Sequence, residues 1–237
     1  EQSAPSHQIG PCRVYDNNLY VSLGDAFTTG GTRMKSQDIN SLLGKVLRMT
    51  LDGKPFAPRT PHRAVQAGLG LVPEERRAEG LILSKSVAFN VSLANLHKIV
   101  FSSAIPLISG RARSSLALET GRDLAIKTQS IESPVGRLSG GNQQKVVIGR
   151  WLKRAPRVLI LDEPTRGVDI GAKSEIYAFI EELVASGMCV ILISSEMEEI
   201  LRLSDRIVVL RRGRVATTLS REEASESTIM HAAALAG

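Results

Sequence analysis

Apolar and polar positions follow two different periods along the chain. Before about residue 55, short runs such as 19–23 and 45–51 are rich in β-forming residues and are separated by glycine-containing turns. Runs of this kind predict strands of an antiparallel sheet. Beyond residue 61, strand-like and helix-like segments alternate, which predicts a mostly parallel sheet covered by helices. Three prolines between residues 55 and 61 separate the two patterns, so we place a junction there.

In the second region, continuous apolar runs predict buried strands at 158–162, 189–193 and 206–210, all in one sheet. From 173 to 186, apolar residues recur at helical spacing and Gly187 is a plausible stop. Strand, helix and strand in this order predict a βαβ unit. A turn at 211–214 predicts a hairpin with 215–219. Weaker helical periodicity from residue 87 onward predicts a helical insertion before Ser139.

Composition limits the function classes. The chain has 237 residues, 43% hydrophobic and 23% charged, which excludes a disordered chain, and no apolar run reaches the roughly 18 residues that span a bilayer. The net charge of +6 is dispersed and allows contact with nucleotides, nucleic acid or anionic lipid without choosing among them. Cys12 and Cys189 show no metal or redox spacing, and no secretion signal is recognisable, so we expect a reducing cytoplasm.

The strongest chemical signal is the run from Leu138 to Lys145. Ser139 can cap a following helix, and Gly140 and Gly141 allow a ligand to approach the backbone. The free amide groups and the dipole of such a helix start attract phosphate. Taken alone, this pattern is more often an ordinary capped helix.

A second element follows further along the chain, where Asp162 and Glu163 end a buried strand. The carboxyl ends of parallel strands are the edge at which α/β sheets bind ligands. An Asp there can hold hydrated Mg²⁺, and a neighbouring carboxylate can polarise a water that attacks a γ-phosphate. Isolated Asp-Glu pairs are commonly solvated loop residues. The two elements together, in this order, are hard to obtain by chance.

From about residue 51 the chain resembles an ABC transporter nucleotide-binding subunit. It is more similar still to the second ATPase cassette of the double-cassette proteins that energise bacterial ribose, xylose and galactose importers. The resemblance is carried by residues 70–81, 138–146, 158–171 and 193–197. It implies an α/β fold, a truncated ABC-type P-loop NTPase cassette over residues 56–237, with a helical subdomain at about 87–137.

The resemblance also implies roles at matching positions. The signature loop, which clamps the γ-phosphate of ATP held by an opposing cassette, would comprise Ser139, Gly140, Gly141, Asn142 and Gln143. The catalytic Walker B pair would be Asp162, which serves Mg²⁺, and Glu163, which serves the attacking water. Asp169 would belong to the D-loop that crosses the cassette dimer.

Two positions depart from most cassettes. Glu74 stands where the Q-loop glutamine is usual, and Ser195 stands where the switch histidine is usual. A glutamate adds negative charge near phosphate, and a serine cannot replace an imidazole in contacting it. Both departures recur in the second cassette of the sugar-importer branch, and they argue against ATP hydrolysis at this cassette's own site.

The phosphate cradle G-x-x-x-x-G-K-[ST] is missing from the sequence. Gly44-Lys45 is followed by Val46, and Gly53-Lys54 is followed by Pro55. Without the backbone cradle and its lysine, the β- and γ-phosphates lose their principal ligands. We therefore expect weak or absent binding of ATP and Mg²⁺ by the chain alone, and no turnover.

The first 55 residues resemble a piece of the soluble quinoprotein sugar dehydrogenases, six-bladed β-propellers that use pyrroloquinoline quinone and calcium. Residues 7–11, 18–25 and 37–48 carry this resemblance. A single blade has no closed ring and cannot form the cofactor pocket, so no dehydrogenase site is assigned. The two resemblances together imply a fusion, a rearrangement or an assembly artefact.

Several functions stay open. The first is an ATP-binding fragment of a carbohydrate importer at the inner face of the bacterial cell membrane. It would dock on permease subunits through residues 76–93 and act with a second cassette, without nucleic acid. The second is a non-catalytic interaction module, and the third is a fragment of a quinone-dependent sugar dehydrogenase. ABC-type DNA-repair ATPases fit less well, because they lack the Asn142-Gln143-Gln144 form and no coiled-coil heptads appear here.

Overall fold

The computed structural model describes residues 12–15, 18–19, 22–23, 47–48, 60–101, 107–211 and 214–234. The strands are β1 (Cys12–Tyr15), β2 (Asn18–Leu19), β3 (Ser22–Leu23), β4 (Leu47–Arg48), β5 (Leu69–Val72), β6 (Val158–Asp162), β7 (Cys189–Ile193), β8 (Arg206–Arg211) and β9 (Arg214–Ser220). The α-helices are α1 (Pro61–Gln66), α2 (Val87–Ser92), α3 (Leu96–Ile99), α4 (Gly110–Asp123), α5 (Gly140–Leu152), α6 (Ile170–Ala185), α7 (Met197–Leu203) and α8 (Glu226–Ala234). A π-helical turn covers Arg76–Gly80, and 3₁₀ turns cover Leu93–Asn95 and Val135–Arg137.

These strands form sheets in the orders β2-β1-β4, β3-β8-β9 and β5-β6-β7. The predicted βαβ unit is β6, α6 and β7. Glu163, directly after β6, donates its backbone N–H to the carbonyl of Ile193, the last residue of β7, at 2.8 Å. The carboxyl ends of β6 and β7 therefore meet at one edge, and the two strands are parallel, as predicted.

The strand at 206–210 does not lie in the sheet that we predicted for it. It belongs to β8, which pairs with β9 in an antiparallel hairpin and with β3 in parallel, through Ser22 opposite Val208 and Leu23 opposite Val209. Both edges of β8 are thereby hydrogen-bonded, which leaves no edge for β6 or β7. The hairpin itself is confirmed.

The predictions for the first region are confirmed in part. β1 and β2 are antiparallel, as expected, whereas β4 pairs with β1 in parallel. The long connection before β4 allows the chain to return in the same direction. The predicted strand at 19–23 is divided between β2 and β3, and other parts of these predictions lie outside the described residues.

Caps explain where the two helices next to the candidate site begin. Ser139 caps α5, which starts at Gly140, and the predicted cap is confirmed. Asp169 caps α6, since its Oδ1 accepts from the backbone N–H of Ala172 at 2.9 Å. For this reason α6 begins at Ile170 rather than at Lys173. After its end, Gly187 adopts φ +90°, the left-handed conformation that suits glycine at a helix stop.

The chain divides into two units, one of residues 1–69, 160–163 and 189–237, the other of residues 70–159 and 164–188. In the first, Ile200, Ile207, Val209 and Ile229 form a buried cluster. The boundaries predicted at residues 55 and 56 stay a prediction. Among the described residues, the helices are too short or too polar to span a bilayer.

The second unit contains the predicted helical insertion as α2, α3 and α4. The helix α5 packs closely on α4, because a Cβ at Gly149 would lie only 2.4 Å from Thr120 Cγ2. Arg150 of α5 donates from Nε to the carbonyl of Asn90 at 2.8 Å. Burial lowers the pKa of Arg150 to about 10. These contacts hold the insertion on the helix that carries the candidate phosphate site.

Candidate functional site

The start of α5 has the geometry of an anion site. Ser139 Oγ accepts from the backbone N–H of Asn142 at 3.5 Å and from Asn142 Nδ2 at 2.9 Å. Ser139 is exposed and Gly140 is half-buried. The helix runs for 13 residues, and the positive end of its dipole reaches the surface at Ser139 and Gly140, whereas Gly141 is buried.

The two glycines are also required by packing, which the sequence did not indicate. A Cβ on Gly141 would lie 2.5 Å from the Cβ of Ala172, in the first turn of α6. A Cβ on Gly140 would lie 2.8 Å from Arg76 Nη2 and 3.0 Å from the carbonyl oxygen of Gly167. A side chain at Gly141 would push the start of α6 away, whereas one at Gly140 would displace the end of the Arg76 side chain and press on the carbonyl of Gly167.

The next two residues of the predicted signature loop differ in exposure. Asn142 Oδ1 accepts from the backbone N–H of Lys127 at 2.7 Å, so this side chain ties Ser139 to the loop before α5. Gln143 is 3% exposed, and its Nε2 donates to the carbonyl of Leu138 at 3.0 Å. The burial of Gln143 favours a structural role for its side chain over the predicted contact with nucleotide.

Arg76 connects the loops around this helix start, and the sequence analysis missed it. Its guanidinium donates to the carbonyls of Arg166 at 2.6 Å and Gly167 at 3.0 Å. Partial burial, and then the charge of Arg77, lower the pKa of Arg76, while Glu75 acts in the opposite direction. The only sequence signal is its place shortly after the predicted Q-loop position.

Glu74 and Asp169 are both engaged with groups of the same unit. Glu74 forms an ion pair with Arg166, so the negative charge expected near phosphate is neutralised by a neighbour. Asp169 uses Oδ1 to cap α6. Glu74 and the loop before Asp169, the predicted Q-loop and D-loop positions, therefore lie near the start of α5, with Arg76 and Arg166 as the connecting cations.

A buried cation on α5 was also missed. Lys145 is 7% exposed and donates from Nζ to Glu175 Oε2 at 2.7 Å. The hydrogen bond from Lys145 and its positive charge, with the more distant charge of Lys127, lower the pKa of Glu175. The sequence signal was available, because a lysine on the buried face of a helix needs a carboxylate partner.

Asp162, Glu163 and Ser195 belong to the other unit. Glu163 has φ +46°, a left-handed conformation that costs a residue with a side chain about 1–2 kcal/mol. Its Oε1 accepts from the backbone N–H of Ser195 at 2.8 Å. Ser195 thus meets the catalytic candidate through its backbone, and such strain commonly accompanies functional sites.

Asp162 suits the magnesium role that the sequence predicts. It is half-buried at the end of β6, and carboxylate oxygen is a ligand that Mg²⁺ prefers. No group of three or more His, Cys, Asp or Glu side chains that could hold a metal occurs among the described residues. A Mg²⁺ here would take few ligands from the protein and the rest from water and phosphate, which is its usual behaviour beside nucleotides.

Comparison with known sequences identifies the family. A model described as ABC transporter matches residues 34–166. The ribose import ATP-binding protein of Hahella chejuensis is 40% identical over 94% of this chain and 45% of its own length. The xylose import ATP-binding protein of Moorella thermoacetica is 42% identical over 92% of this chain and 44% of its own length. The chain thus spans less than half the length of these curated relatives.

Solved structures agree on the fold. A dimeric ATP-binding cassette in a post-hydrolysis state with ADP and Pi is 17% identical, with a TM-score of 0.61, over 93% of this chain and 99% of that chain. A nucleotide-free ATP-binding cassette from an ABC transporter is 19% identical, with a TM-score of 0.61, over 76% of this chain and 73% of that chain. At such identities, the likeness supports the α/β cassette fold alone.

These matches lend no support to the quinoprotein resemblance of residues 1–55. The family model begins at residue 34, so residues 34–55 of that segment lie within the matched cassette region.

Proposed function

Because this chain belongs to the ABC transporter family, we propose that it is an ATP-binding portion of a carbohydrate importer, of the second-cassette type. The two relatives named above are ribose and xylose import ATP-binding proteins, which supports sugar import. The proposed partners are permease subunits and an opposing cassette. This chain would contact the permease through its residues 76–93. The place of action is the inner face of the bacterial cell membrane.

The start of α5 is the single observation that carries this proposal. Asn142 donates to Ser139 Oγ, which directs the O–H of Ser139 outward, where it can donate to a phosphate oxygen. The amides of Gly140 and Gly141 add the positive end of the helix. Together these groups suit a γ-phosphate presented by an opposing cassette.

The carboxylates at the end of β6, in the other unit, are a separate candidate that would act on a nucleotide held by this chain itself. Asp162 would hold Mg²⁺, which neutralises charge on the phosphate oxygens. Glu163 would orient and polarise the attacking water. In the present structure its carboxylate accepts from Ser195 N–H, so that contact must weaken or be shared before Glu163 contacts water.

The missing phosphate cradle leads us to propose that the chain alone binds ATP weakly and does not turn it over. The printed residues contain no G-x-x-x-x-G-K-[ST] motif. The function left to the chain is to complete, with its signature loop, a site whose nucleotide is held by the partner. In the absence of turnover, this would make it a non-catalytic module.

Titration of a fluorescent ATP analogue with Mg²⁺ tests the proposal. We expect saturable binding when the chain is mixed with a complete cassette and little binding to the chain alone. Ser139→Ala should weaken binding in the mixture by about tenfold, since it removes a hydrogen bond to a charged group. Ser115→Ala, at an exposed position of α4, is the matched control.

Two results would contradict the proposal. One is tight binding to the chain alone that Ser139→Ala leaves unchanged. The other is phosphate release by the isolated chain at millimolar ATP that Glu163→Gln abolishes. For residues 1–55 the quinoprotein assignment stays a prediction, which dye reduction with aldoses and added pyrroloquinoline quinone would test.

A further inference from the structure

An exposed apolar surface lies on the helical insertion, apart from the residues discussed above. We call it the hairpin surface and define it by five apolar residues and three cations. The apolar residues and their exposed fractions are Phe101 70%, Leu107 64%, Leu118 53%, Ile108 50% and Leu96 44%. Single exposed apolar side chains are ordinary, but a group within one short segment marks an interaction site.

Backbone hydrogen bonds bring three of these residues together. Phe101 N–H donates to the carbonyl of Leu107 at 3.0 Å, and Ser109 N–H donates to the carbonyl of Ile99 at 2.7 Å. Val100 and Ile108 form an antiparallel bridge between them. Phe101 and Leu107 therefore oppose each other on a two-stranded ladder that joins α3 to α4. Residues 102–106 lie outside the described residues, and the hairpin surface is defined without them.

The surroundings of the ladder are positively charged. Residues 80–118 contain no Asp or Glu but include Lys98 and Arg111. On α4, Arg111, Leu118 and Arg122 are exposed and share one face, since they are seven and four residues apart. Lys98, Arg111 and Arg122 are the cations of the hairpin surface.

The nearest carboxylates on α4 share one lysine, so one negative charge remains against the three cations of the hairpin surface. Glu119 and Asp123 both pair with Lys153, each at 2.6 Å. The hairpin surface therefore presents apolar side chains next to cations that carry a net positive charge. This combination is complementary to the headgroups and the upper acyl region of an anionic lipid bilayer.

We propose that the hairpin surface binds the surface of an anionic lipid bilayer, with Phe101 and Leu107 inserted at the headgroup level and Arg111 and Arg122 on lipid phosphates. The apolar side chains stand out into solvent, whereas a cavity of about 280 Å³ in this unit is lined by other residues, among them Leu124, Ile148 and Phe179. A protruding surface suits a bilayer better than it suits an inserted peptide. The inference does not depend on nucleotide binding.

Flotation of the full chain with protein-free vesicles tests the proposal. We expect the chain to float with vesicles of phosphatidylcholine containing 30% phosphatidylglycerol at low salt, and to stay unbound with phosphatidylcholine alone. Binding should be lost in 1 M NaCl, where the Debye length falls to about 3 Å. The ATP-analogue titration is read separately, so failure of one proposal is distinguishable from failure of the other.

Variants separate the two contributions to lipid binding. Phe101→Ser should weaken partitioning on the order of thirtyfold, the loss of one inserted aromatic side chain. Arg111→Gln should weaken it roughly fivefold, and the double variant Arg111→Gln/Arg122→Gln more. The matched controls are Met230→Ser, which is 55% exposed in the other unit, and Arg221→Gln, also exposed there. Neither control should change partitioning.

Three outcomes would overturn the proposal. The first is no flotation with anionic vesicles, which is the result expected if the surface binds a permease protein instead. The second is equal flotation with neutral vesicles. The third is a dimer in size-exclusion chromatography with light scattering that Phe101→Ser converts to monomer, which would assign the surface to a second copy of the chain.

Discussion

The start of α5 and the end of β6, which carry candidate residues in two different units, are built by different means. The start of α5 is fixed by close packing: Gly141 leaves no room for a Cβ, Gly140 leaves little, and Arg76 ties the adjacent loop to it. The end of β6 is fixed by a strained backbone, with Glu163 at φ +46° and one hydrogen bond to Ser195. The start of α5 should therefore be sensitive to added volume, and the end of β6 to changes in backbone preference.

The largest effect should follow from Gly141→Ala. The added methyl group would lie 2.5 Å from the Cβ of Ala172, so the starts of α5 and α6 must separate. We expect a loss of about 2 kcal/mol in the free energy of unfolding, measured in urea. The control is Gly171→Ala, whose Cβ would meet its nearest atom at 3.6 Å. Equal stability of the two variants would show that the contact between residue 141 and Ala172 does not require glycine.

The next effect concerns Arg76 and Gly140. Arg76→Ala removes two hydrogen bonds to carbonyls and should cost about 1–2 kcal/mol. Gly140→Ala should cost less in the Arg76→Ala background, because one of its two close contacts is then gone. A double-mutant cycle should give a coupling of about 0.5–1 kcal/mol. The control is Arg77→Ala, at the exposed neighbouring position. If the effects of Arg76→Ala and Gly140→Ala were additive, the predicted contact between Arg76 and the start of α5 would be contradicted.

At the end of β6, the glycine variant of Glu163 should be more stable than the alanine variant. Both lose the bond to Ser195, but glycine alone adopts φ +46° without cost. We expect a difference of about 1 kcal/mol in thermal or urea unfolding. At Gly171 the order should reverse, because alanine is the better helix former there. If glycine and alanine ranked in the same order of stability at positions 163 and 171, backbone strain at Glu163 would be refuted.

The smallest effect is pH-dependent and belongs to α5. Because Lys145 lowers the pKa of Glu175, this carboxylate stabilises the fold above its unfolded pKa of about 4.3. The contribution is lost as the pH falls through the lower folded value. Glu175 is 47% exposed, and a glutamine oxygen can still accept from the buried Lys145 Nζ, so Glu175→Gln should cost only about 0.5 kcal/mol at pH 7 and nothing at strongly acidic pH. Glu182→Gln controls for the lost charge, and a pH-independent difference would contradict the pairing.

Sequence patterns located the elements of the site better than they located its contacts. The cap at Ser139, the carboxylates after β6 and the helix stop at Gly187 were all predicted, because each is encoded within a few consecutive residues. The sheet of β8 was predicted incorrectly, since apolar periodicity shows that a strand is buried and not which neighbour it pairs with. Gln143 was assigned from a motif, whereas its burial became visible only in the folded helix.

Local sequence thus determined the helix starts, the helix stops and the βαβ unit, because caps and periodicity act between residues close in the chain. Tertiary structure decided what these elements touch. Arg76 and the carbonyl of Arg166 are 90 positions apart, and Glu163 and Ser195 are 32 apart. Contacts over such separations depend on how helices and strands pack, since a backbone carbonyl or amide carries no side-chain signal that names its partner.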